Sequence, residues 1–169
     1  MSRKRYSSRQ VFDEHAPYVF RVLRYMGVRE ADVPDVCQEV FVTVHRKIDG
    51  FEGRSSIRTW LYKICQRAAS DHRRRAYVRR EVVTDFAEER PRAVESAGPR
   101  VEARSTLLFA LGALDEDKRD VFVLYEIEGM TMREVAEVLG CPLQTAYSRL
   151  HAARELVEQA LEREGGGKK

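Results

Sequence analysis

TMREVAEVLGCPLQTAYSRLHAAREL, residues 131–156, is the stretch that decides the fold. Thr131 is followed three residues later by Glu134, the spacing of a capping box, in which each side chain accepts the other residue's backbone N–H at a helix start. Apolar residues then recur at helical spacing as far as Gly140, which stands where a helix end favours a positive φ. Pro142 fits the first turn of a second helix, because its missing N–H is not needed there. The sequence therefore predicts a helix, a tight turn and a second helix.

The second helix of this pair has an apolar face and a polar face. The expected apolar face consists of Leu143, Ala146, Leu150, Ala153 and Val157, and the polar face of Gln144, Thr145, Ser148, Arg149, His151 and Arg154. Amide, hydroxyl and guanidinium groups bind base edges and phosphates, so we interpret the pair as a DNA-binding helix-turn-helix. An ordinary helical hairpin with a solvated polar face has the same pattern and stays an alternative.

Length and composition limit the class of protein. A chain of 169 residues holds one domain or two small ones, and a hydrophobic content of 43% supports a buried core. No apolar run approaches the roughly 18 residues of a membrane span, and the arginine-rich start lacks the apolar stretch of a signal peptide. We therefore expect a cytoplasmic protein without membrane insertion.

The metal-binding and catalytic residue types form no recognisable motif. The 3 cysteines and 4 histidines are scattered, without the close paired spacing of a zinc site. The sequence also contains no evident nucleophile–base pair and no phosphate-binding loop. We therefore predict no metal, no cofactor, no small-molecule substrate and no enzymatic activity.

The net charge of +3 hides an uneven distribution. Residues 1–80 hold 18 Lys and Arg against 9 Asp and Glu, whereas residues 105–169 hold 8 against 12. A basic first half indicates a polyanionic partner. Any positive surface in the acidic last part has to be local.

Residues 1–80 are predicted to form three helices, since no alternation typical of a strand occurs there. The expected buried stripes are Phe12, Ala16, Val19, Phe20, Leu23 and Met26 in the first helix, which Gly27 ends; Val33, Val36, Cys37, Val40, Phe41, Val44 and Ile48 in the second; and Ile57, Leu61, Ile64, Ala68 and His72 in the third. Ser55 and Ser56 are suited to cap the third helix.

A second stripe on the third helix combines an aromatic ring with cations. It consists of Trp60, Lys63, Arg67, Asp71 and Arg74, and further arginines follow as far as residue 80. Such a stripe suits single-stranded nucleic acid, because a ring can stack on a base while the cations meet the backbone. The alternative is that Trp60 belongs to the core and the arginines form a solvated helix end.

The rest of the chain is predicted to contain a linker and a second helical domain. Residues 81–104 lose periodicity and contain proline and glycine, which favours a flexible linker. Residues 105–169 read as four helices, of which the last two form the helix-turn-helix, followed by a frayed Gly165–Lys169 end. The predicted fold class is all-α, with a three-helix and a four-helix domain.

Three strings together resemble a bacterial RNA polymerase sigma factor of the extracytoplasmic-function group. DVCQEVF at residues 35–41 resembles the family's polymerase-binding helix. Phe51 and Gly53, RTWLYKI at 58–64 and DHRR at 71–74 resemble the segment that melts the −10 element. EGMT at 128–131, together with the helix-turn-helix, resembles the −35 reader. The match covers nearly the whole chain in the family's order.

The resemblance implies a role for each site. It assigns polymerase binding to Asp35, Gln38, Glu39 and Phe41; −10 binding to Phe51, Ser55, Ser56, Arg58, Trp60, Lys63, Arg67 and Arg74; and −35 binding to Arg133, Gln144, Thr145, Ser148, Arg149, His151 and Arg154. It also implies three partners: core RNA polymerase, promoter DNA as −35 duplex and −10 single strand, and an anti-sigma factor.

Three other classes of protein remain open from the residues alone. A one-component helix-turn-helix regulator would need an apolar ligand pocket, whereas the first domain presents arginines. An RNA-binding helical protein using residues 60–80 leaves the helix-turn-helix without a role. A small helical enzyme would need catalytic groups that the sequence does not show.

Overall fold

The computed structural model describes residues 6–82 and 99–166, with side chains over residues 6–78 and 103–164. Every regular element in these ranges is helical, and neither range contains a strand. The chain divides into two compact units, residues 1–74 and 75–169. The predicted all-α fold of two small helical domains is confirmed.

The predicted linker, residues 81–104, lies mostly outside the described residues. The third helix reaches Val82 and the fourth begins at Pro99, so both ends of that segment are helical. Residues 83–98 are among those not described. The domain limits at residues 80 and 105 therefore stay predictions.

The first domain consists of α1 (Ser8–Tyr25), α2 (Val33–Lys47) and α3 (Ile57–Val82), with a 3₁₀ turn at Ile48–Gly50. The Ser7 hydroxyl accepts the Gln10 N–H at 3.1 Å, and the Gln10 side chain accepts the Ser7 N–H at 3.0 Å. This capping box satisfies two N–H groups that would otherwise lack a partner. Gly27, with φ 81°, follows the end of α1 where the sequence predicted it.

The buried face of α1 differs from the predicted one. Val19, Leu23 and Met26 are buried, but Phe12 is 50% exposed and Phe20 is 40% exposed. The remaining core positions of α1 belong to Val11, Tyr18, Val22 and Tyr25. The predicted stripe included none of these four residues; a tyrosine ring can be buried when its hydroxyl finds a hydrogen-bond partner. The Tyr18 hydroxyl donates to the Arg58 carbonyl of α3 at 3.4 Å.

α2 buries its predicted stripe at every position but one. The buried residues are Val33, Val36, Cys37, Val40, Val44 and, just after the helix, Ile48. Phe41 is only half-buried. Each fully buried side chain of this size contributes about 1.5–3 kcal/mol relative to an exposed one. The stripe therefore fixes which side of α2 faces outwards.

The core face of α3 is centred one residue away from the predicted position. Its fully buried residues are Leu61, Tyr62, Cys65 and Ala69. The other predicted core residues, Ile57, Ile64, Ala68 and His72, are half-buried. Leu61 is common to both sets, and the shift comes from Tyr62, Cys65 and Ala69, which the predicted stripe did not include.

The far part of α3 is joined to the turn between α1 and α2. The Arg73 guanidinium donates to the Met26 carbonyl at 2.5 Å, and His72 Nε2 lies 3.3 Å from Asp32 Oδ2. Arg29 Nε donates to the same Asp32 oxygen at 2.8 Å. Burial alone would raise the pKa of Asp32, but the bonds and charges of Arg29 and His72 hold it below its usual value.

The second domain consists of α4 (Pro99–Gly112), α5 (Glu116–Phe122), α6 (Met132–Leu139) and α7 (Leu143–Gly166). The Asp115 side chain caps α5 by accepting the Lys118 N–H at 2.9 Å. α5 continues into a π-helical segment, Val123–Ile127, before the chain turns at Gly129. The sequence predicted this helix and its end near Gly129, but not the π-helical last turn. α7 extends into the predicted frayed end, and residues 167–169 lie outside the described part.

The predicted capping box at the start of α6 is present. The Thr131 hydroxyl accepts the Glu134 N–H at 3.4 Å, and the Glu134 carboxylate accepts the Thr131 N–H at 2.8 Å. The carboxylate also accepts the Thr131 hydroxyl proton at 2.7 Å. These bonds hold the pKa of Glu134 below its usual value, because they favour the ionised form.

The turn between α6 and α7 is built on a left-handed glycine. Gly140 has φ 64° and ψ 34°, and its N–H donates to the Ala136 carbonyl. Pro142 was predicted in the first turn of the second helix, but it lies one residue before α7 begins. Its carbonyl accepts the Ala146 N–H at 3.1 Å. The turn therefore needs no side chain at residue 140 and no N–H at residue 142.

The core face of α7 matches the prediction in its centre and departs from it at its ends. Ala146, Leu150 and Ala153 are buried, as is the later Ala160. Leu143 is 43% exposed, and Val157 is half-buried. Leu143 is the first residue of the helix, where the turn leaves one side open.

Replacing Gly140 by alanine should destabilise the second domain. The position is left-handed, and a residue with a Cβ there costs roughly 1–2 kcal/mol. The added Cβ meets no other atom within 4 Å, so the expected loss is one of backbone conformation alone. Chemical denaturation followed by circular dichroism measures the free energy of unfolding, and Gly140→Asn should lose less.

Gly112→Ala is the matched control. Gly112 is the last residue of α4, has no positive φ, and its added Cβ also meets nothing within 4 Å. Alanine there should leave stability unchanged or raise it by about 0.4–1 kcal/mol. Equal losses from the two substitutions would contradict the role assigned to the turn.

Candidate functional site

The outward face of α2 carries three polar side chains close together. Asp35, Gln38 and Glu39 are exposed, on the side of α2 opposite Val36 and Val40, which are buried. Residues three and four apart lie side by side on a helix surface. The structure thus groups three of the four predicted polymerase-binding residues into one patch, called here the α2 patch.

Val42 belongs to the same patch and was missed by the sequence reasoning. It is 43% exposed and follows Gln38 and Glu39 by four and three residues. A single exposed valine has no meaning by itself. The sequence signal that could have identified Val42 was an apolar residue outside the buried stripe and close to the polar residues already assigned to polymerase binding.

Phe41, the fourth predicted polymerase-binding residue, packs against α1. Its ring lies 4.8 Å from the Phe12 ring, centroid to centroid, with an angle of 68° between the planes. This edge-to-face geometry is one that aromatic pairs favour. Since Phe12 is half-exposed, the two rings form an apolar margin beside the α2 patch.

Phe51, in the segment before α3, forms an aromatic pair with Trp60 of α3 and lines an open groove. The Phe51 and Trp60 ring centroids are 5.2 Å apart, and both side chains are half-buried. Phe51 also lines a groove of about 1030 Å³, together with Gly53, Ser55 and Ser56. Trp60 is half-buried, so it is neither wholly in the core nor fully exposed, and its −10 assignment stays a prediction.

Two of the predicted −10 residues also make contacts within the first domain. The Ser56 hydroxyl caps α3 by accepting the Thr59 N–H at 3.1 Å. The Arg58 guanidinium lies 5.3 Å from the centroid of the Tyr18 ring, a cation–π contact. Both residues are exposed, so these bonds position them on the surface and do not bury them.

The polar side of α3 is an exposed strip of cations. Lys63, Arg67 and Arg74 are all exposed. Arg74 forms a surface ion pair with Asp71 at 3.4 Å, an interaction worth less than about 1 kcal/mol in water. The side chains of residues 79 and 80, which extend the predicted stripe, lie outside the described part.

The −35 candidates fall into two groups by exposure. Arg133, Gln144, Ser148, His151 and Arg154 are exposed, whereas Thr145 and Arg149 are half-buried. Tyr147, which the prediction left out, is 50% exposed beside Ser148. The sequence signal that could have identified Tyr147 was its position between Thr145 and Ser148, two residues of the predicted polar face.

Two arginines of α7 pair with carboxylates of α5 and of the π-helical segment that follows it. Arg149 lies 2.5 Å from Asp117 Oδ2 of α5. Arg154 lies 2.5 Å from Glu126 Oε1 and 5.8 Å from the centroid of the Tyr125 ring, both in the π-helical segment. These pairs orient both guanidinium groups and reduce the local positive charge, which the sequence could not show.

The cysteines are packing residues. Cys37 and Cys65 are buried free thiols. Burial raises the pKa of Cys37 to about 11 and also raises that of Cys65, so neither is a reactive thiolate. Within residues 6–82 and 99–166 no cluster of three metal-binding side chains occurs. No helix in the same ranges has the length and apolar character to span a bilayer.

Comparison with known protein families identifies both domains. Residues 11–78 match sigma-70 region 2, and residues 104–157 match sigma-70 region 4. Together these matches cover more than half of the chain, in the order that the resemblance predicted.

Individual relatives agree. The chain is 32% identical to the ECF RNA polymerase sigma-E factor of Escherichia coli K12, over 83% of this chain and 78% of the relative. It is 30% identical to the factor of the same name from Haemophilus influenzae, over 80% and 77%.

Solved structures share the fold. The structure of CnrH in complex with the cytosolic domain of CnrY has a TM-score of 0.66 and 27% identity, over 92% of this chain and 88% of that one. RpoE of Bartonella quintana, crystallised with the anti-sigma factor NepR, has a TM-score of 0.69 and 20% identity, over 91% and 96%. The family matches and the sequence relatives show that the chain belongs to the extracytoplasmic-function (ECF) family of RNA polymerase sigma factors.

Proposed function

We propose that this sigma factor directs core RNA polymerase to promoters through three surfaces: the α2 patch, the Phe51–Trp60 segment with the cationic side of α3, and the outward face of α7. One observation carries the proposal. The helices α2, α3 and α7 each bury one side in their own domain. Each leaves exposed the polar side that the family resemblance assigns to a partner.

The α2 patch binds the polymerase. Asp35 and Glu39 supply exposed carboxylates to basic residues of the coiled-coil clamp of the largest subunit, and Gln38 supplies hydrogen bonds. Phe41 and Phe12 add an apolar margin. Truncating one partner of a charge pair that becomes buried on binding costs roughly 2–5 kcal/mol, so a few residues can account for most of the affinity.

The segment before α3 captures a base of the −10 element. Extruding a base from the duplex costs a few kcal/mol, which stacking and edge contacts must return. Phe51 and Trp60 provide the aromatic surface, and Lys63, Arg67 and Arg74 meet the backbone of the unpaired strand. Arg58, Ser55 and Ser56 complete the contacts at the mouth of the groove.

The outward face of α7 reads the −35 duplex from the major groove. Gln144, Ser148 and His151 are placed to contact base edges, with Thr145 at the side of the same face. Arg149 and Arg154 reach phosphate or guanine from the flanks, and Arg133 contacts the backbone from α6. Such a division into positioning and reading contacts is usual for a helix-turn-helix.

The remaining parts of the proposal follow from the family. The chain acts in the cytoplasm, where the polymerase works, and performs no covalent chemistry itself. Bartonella RpoE was crystallised with an anti-sigma factor. We extend that partner to this chain as a regulator that covers the same surfaces.

Run-off transcription tests the proposal as a whole. Core polymerase with this protein should give promoter-specific transcripts that neither gives alone. The free protein should bind −35/−10 duplex weakly at near-physiological salt, because its helix-turn-helix domain holds more acids than bases and neutralises few phosphates. Tight sequence-specific binding by the free protein, measured by filter binding, would favour a one-component regulator instead.

Glu39→Lys should weaken binding to core polymerase while leaving the fold intact. Glu39 is exposed, so the substitution reverses one charge in the α2 patch. We expect at least a tenfold loss of affinity, in line with roughly 2 kcal/mol for a desolvated charge contact. Fluorescence anisotropy of labelled protein with core polymerase measures it.

Glu158→Lys is the matched control for that experiment. Glu158 is an exposed glutamate of α7, outside the proposed surfaces, and its substitution changes the net charge equally. It should leave core binding unchanged. Equal losses in both variants would show that the effect comes from net charge and not from the α2 patch.

Trp60→Ala should impair promoter opening more than initial promoter binding. The substitution removes the ring that lies against Phe51, so an extruded base loses stacking worth roughly 1–3 kcal/mol. Permanganate reactivity of unpaired thymines measures opening, and a template pre-melted at −10 should recover part of the loss. If the pre-melted template rescues nothing, Trp60 acts through packing.

A further inference from the structure

The groove beside Phe51 has a wall that none of the −10 assignments includes. One side is formed by the segment between α2 and α3, and the other by Tyr6, Ser7 and Gln10 at the start of α1. At about 1030 Å³, the groove is at the upper end of the size of small-molecule sites, so it has room for a nucleobase with its sugar.

The wall at the start of α1 is held in place by hydrogen bonds. Ser7 and Gln10 close the capping box described above, which fixes the direction of the chain entering α1. The Ser8 hydroxyl lies 3.1 Å from His45 Nδ1, near the end of α2. The residue before Ser7 is therefore anchored next to the segment that follows α2.

Tyr6 extends the aromatic pair of the −10 segment to three rings. Its centroid lies 6.0 Å from that of Phe51, with 64° between the planes, and Phe51 in turn lies 5.2 Å from Trp60. The edge-to-face contact is within the range that aromatic pairs favour. Tyr6 and Phe51 both line the groove, so their touching rings form one continuous aromatic part of its lining.

The polar lining selects the part of a nucleotide that can enter. The described lining residues include the carboxylates of Asp49 and Glu52 but no lysine or arginine. Carboxylates repel a phosphate, whereas they accept hydrogen bonds from amino groups on base edges. Arg54 pairs with Glu52 at 2.6 Å beside the groove, and the exposed cations Lys63, Arg67 and Arg74 lie along α3, where the backbone of the strand would run.

We propose that Tyr6 is a nucleobase contact, and that the start of α1 forms the second wall of the site that holds the extruded −10 base. The inference rests on the proposed function, because it assumes that this groove receives a base. It adds a residue outside the −10 segment to the contacts that determine capture. Tyr6 lies against Phe51 at the groove and contacts the base that enters.

The test compares Tyr6→Leu with Tyr6→Phe in holoenzyme assembled from core polymerase and the full chain. Leucine keeps an apolar side chain against Phe51 but removes the ring, whereas phenylalanine keeps the ring and removes the hydroxyl. The probe is a fluorescent non-template −10 strand from a promoter that the holoenzyme transcribes. A series of such strands carries one abasic site each, at successive positions. Thermal unfolding of each variant confirms an unchanged fold.

One abasic position should weaken binding by the wild-type holoenzyme, because the captured base is missing. Tyr6→Leu should bind the intact strand about 5- to 10-fold more weakly, the low end of what base–aromatic stacking supplies. At that one abasic position, Tyr6→Leu should lose nothing further, since base and ring form a single contact. Tyr6→Phe should bind like the wild type.

Two other outcomes are distinguishable. If the loss from Tyr6→Leu adds to the loss from the abasic site at every position, Tyr6 contacts no base and the inference is overturned. If the wild-type holoenzyme tolerates an abasic site at every position, base capture itself is absent. That second result overturns the −10 part of the proposed function, and the role of Tyr6 with it.

Discussion

The first domain depends on α3 being bonded at two points, to α1 and to the turn that follows α1. Near its start, the Tyr18 hydroxyl donates to the Arg58 carbonyl, and the Arg58 guanidinium lies over the Tyr18 ring. Further along, Arg73 donates to the Met26 carbonyl. With Leu61 buried between these points, α3 cannot rotate about its axis without breaking one of them. The direction of its cationic side is therefore a consequence of how its other side packs.

In the second domain, the direction of the exposed side of α7 is set by a turn and not by side-chain hydrogen bonds. Gly140 sets the angle between α6 and α7 by its positive φ, and the capping box of Thr131 and Glu134 fixes where α6 begins. α7 then buries Ala146 and Ala153, whose small side chains allow close packing. In both domains the functional surface is what remains after the core and the caps have been satisfied.

The sequence predicts the features that local chemistry determines. The capping box of Thr131 and Glu134, the glycine at residue 140 and the valine stripe of α2 depend on residues close in the chain, and all are found. The burial of Tyr18 and Tyr62 was not predicted, because a tyrosine is buried only when its hydroxyl meets a partner from another helix. The pairing of Arg149 with Asp117 joins residues 32 apart, and spacing along the chain carries no information about it. The functional assignments rest on sequence strings that resemble the family, because no pattern of charge or periodicity identifies RNA polymerase as the partner.

Under the proposed function, these arginine pairs allow an acidic domain to bind DNA without binding it too tightly. Arg149 and Arg154 are held by Asp117 and Glu126, and a surface pair of this kind is worth less than about 1 kcal/mol. A phosphate or a guanine can therefore compete for either guanidinium at small cost. Until it does, the carboxylates cancel the charges that would hold the protein on random duplex. A reader of this kind gains little from DNA alone, so its specificity has to come from being held at the promoter by the polymerase.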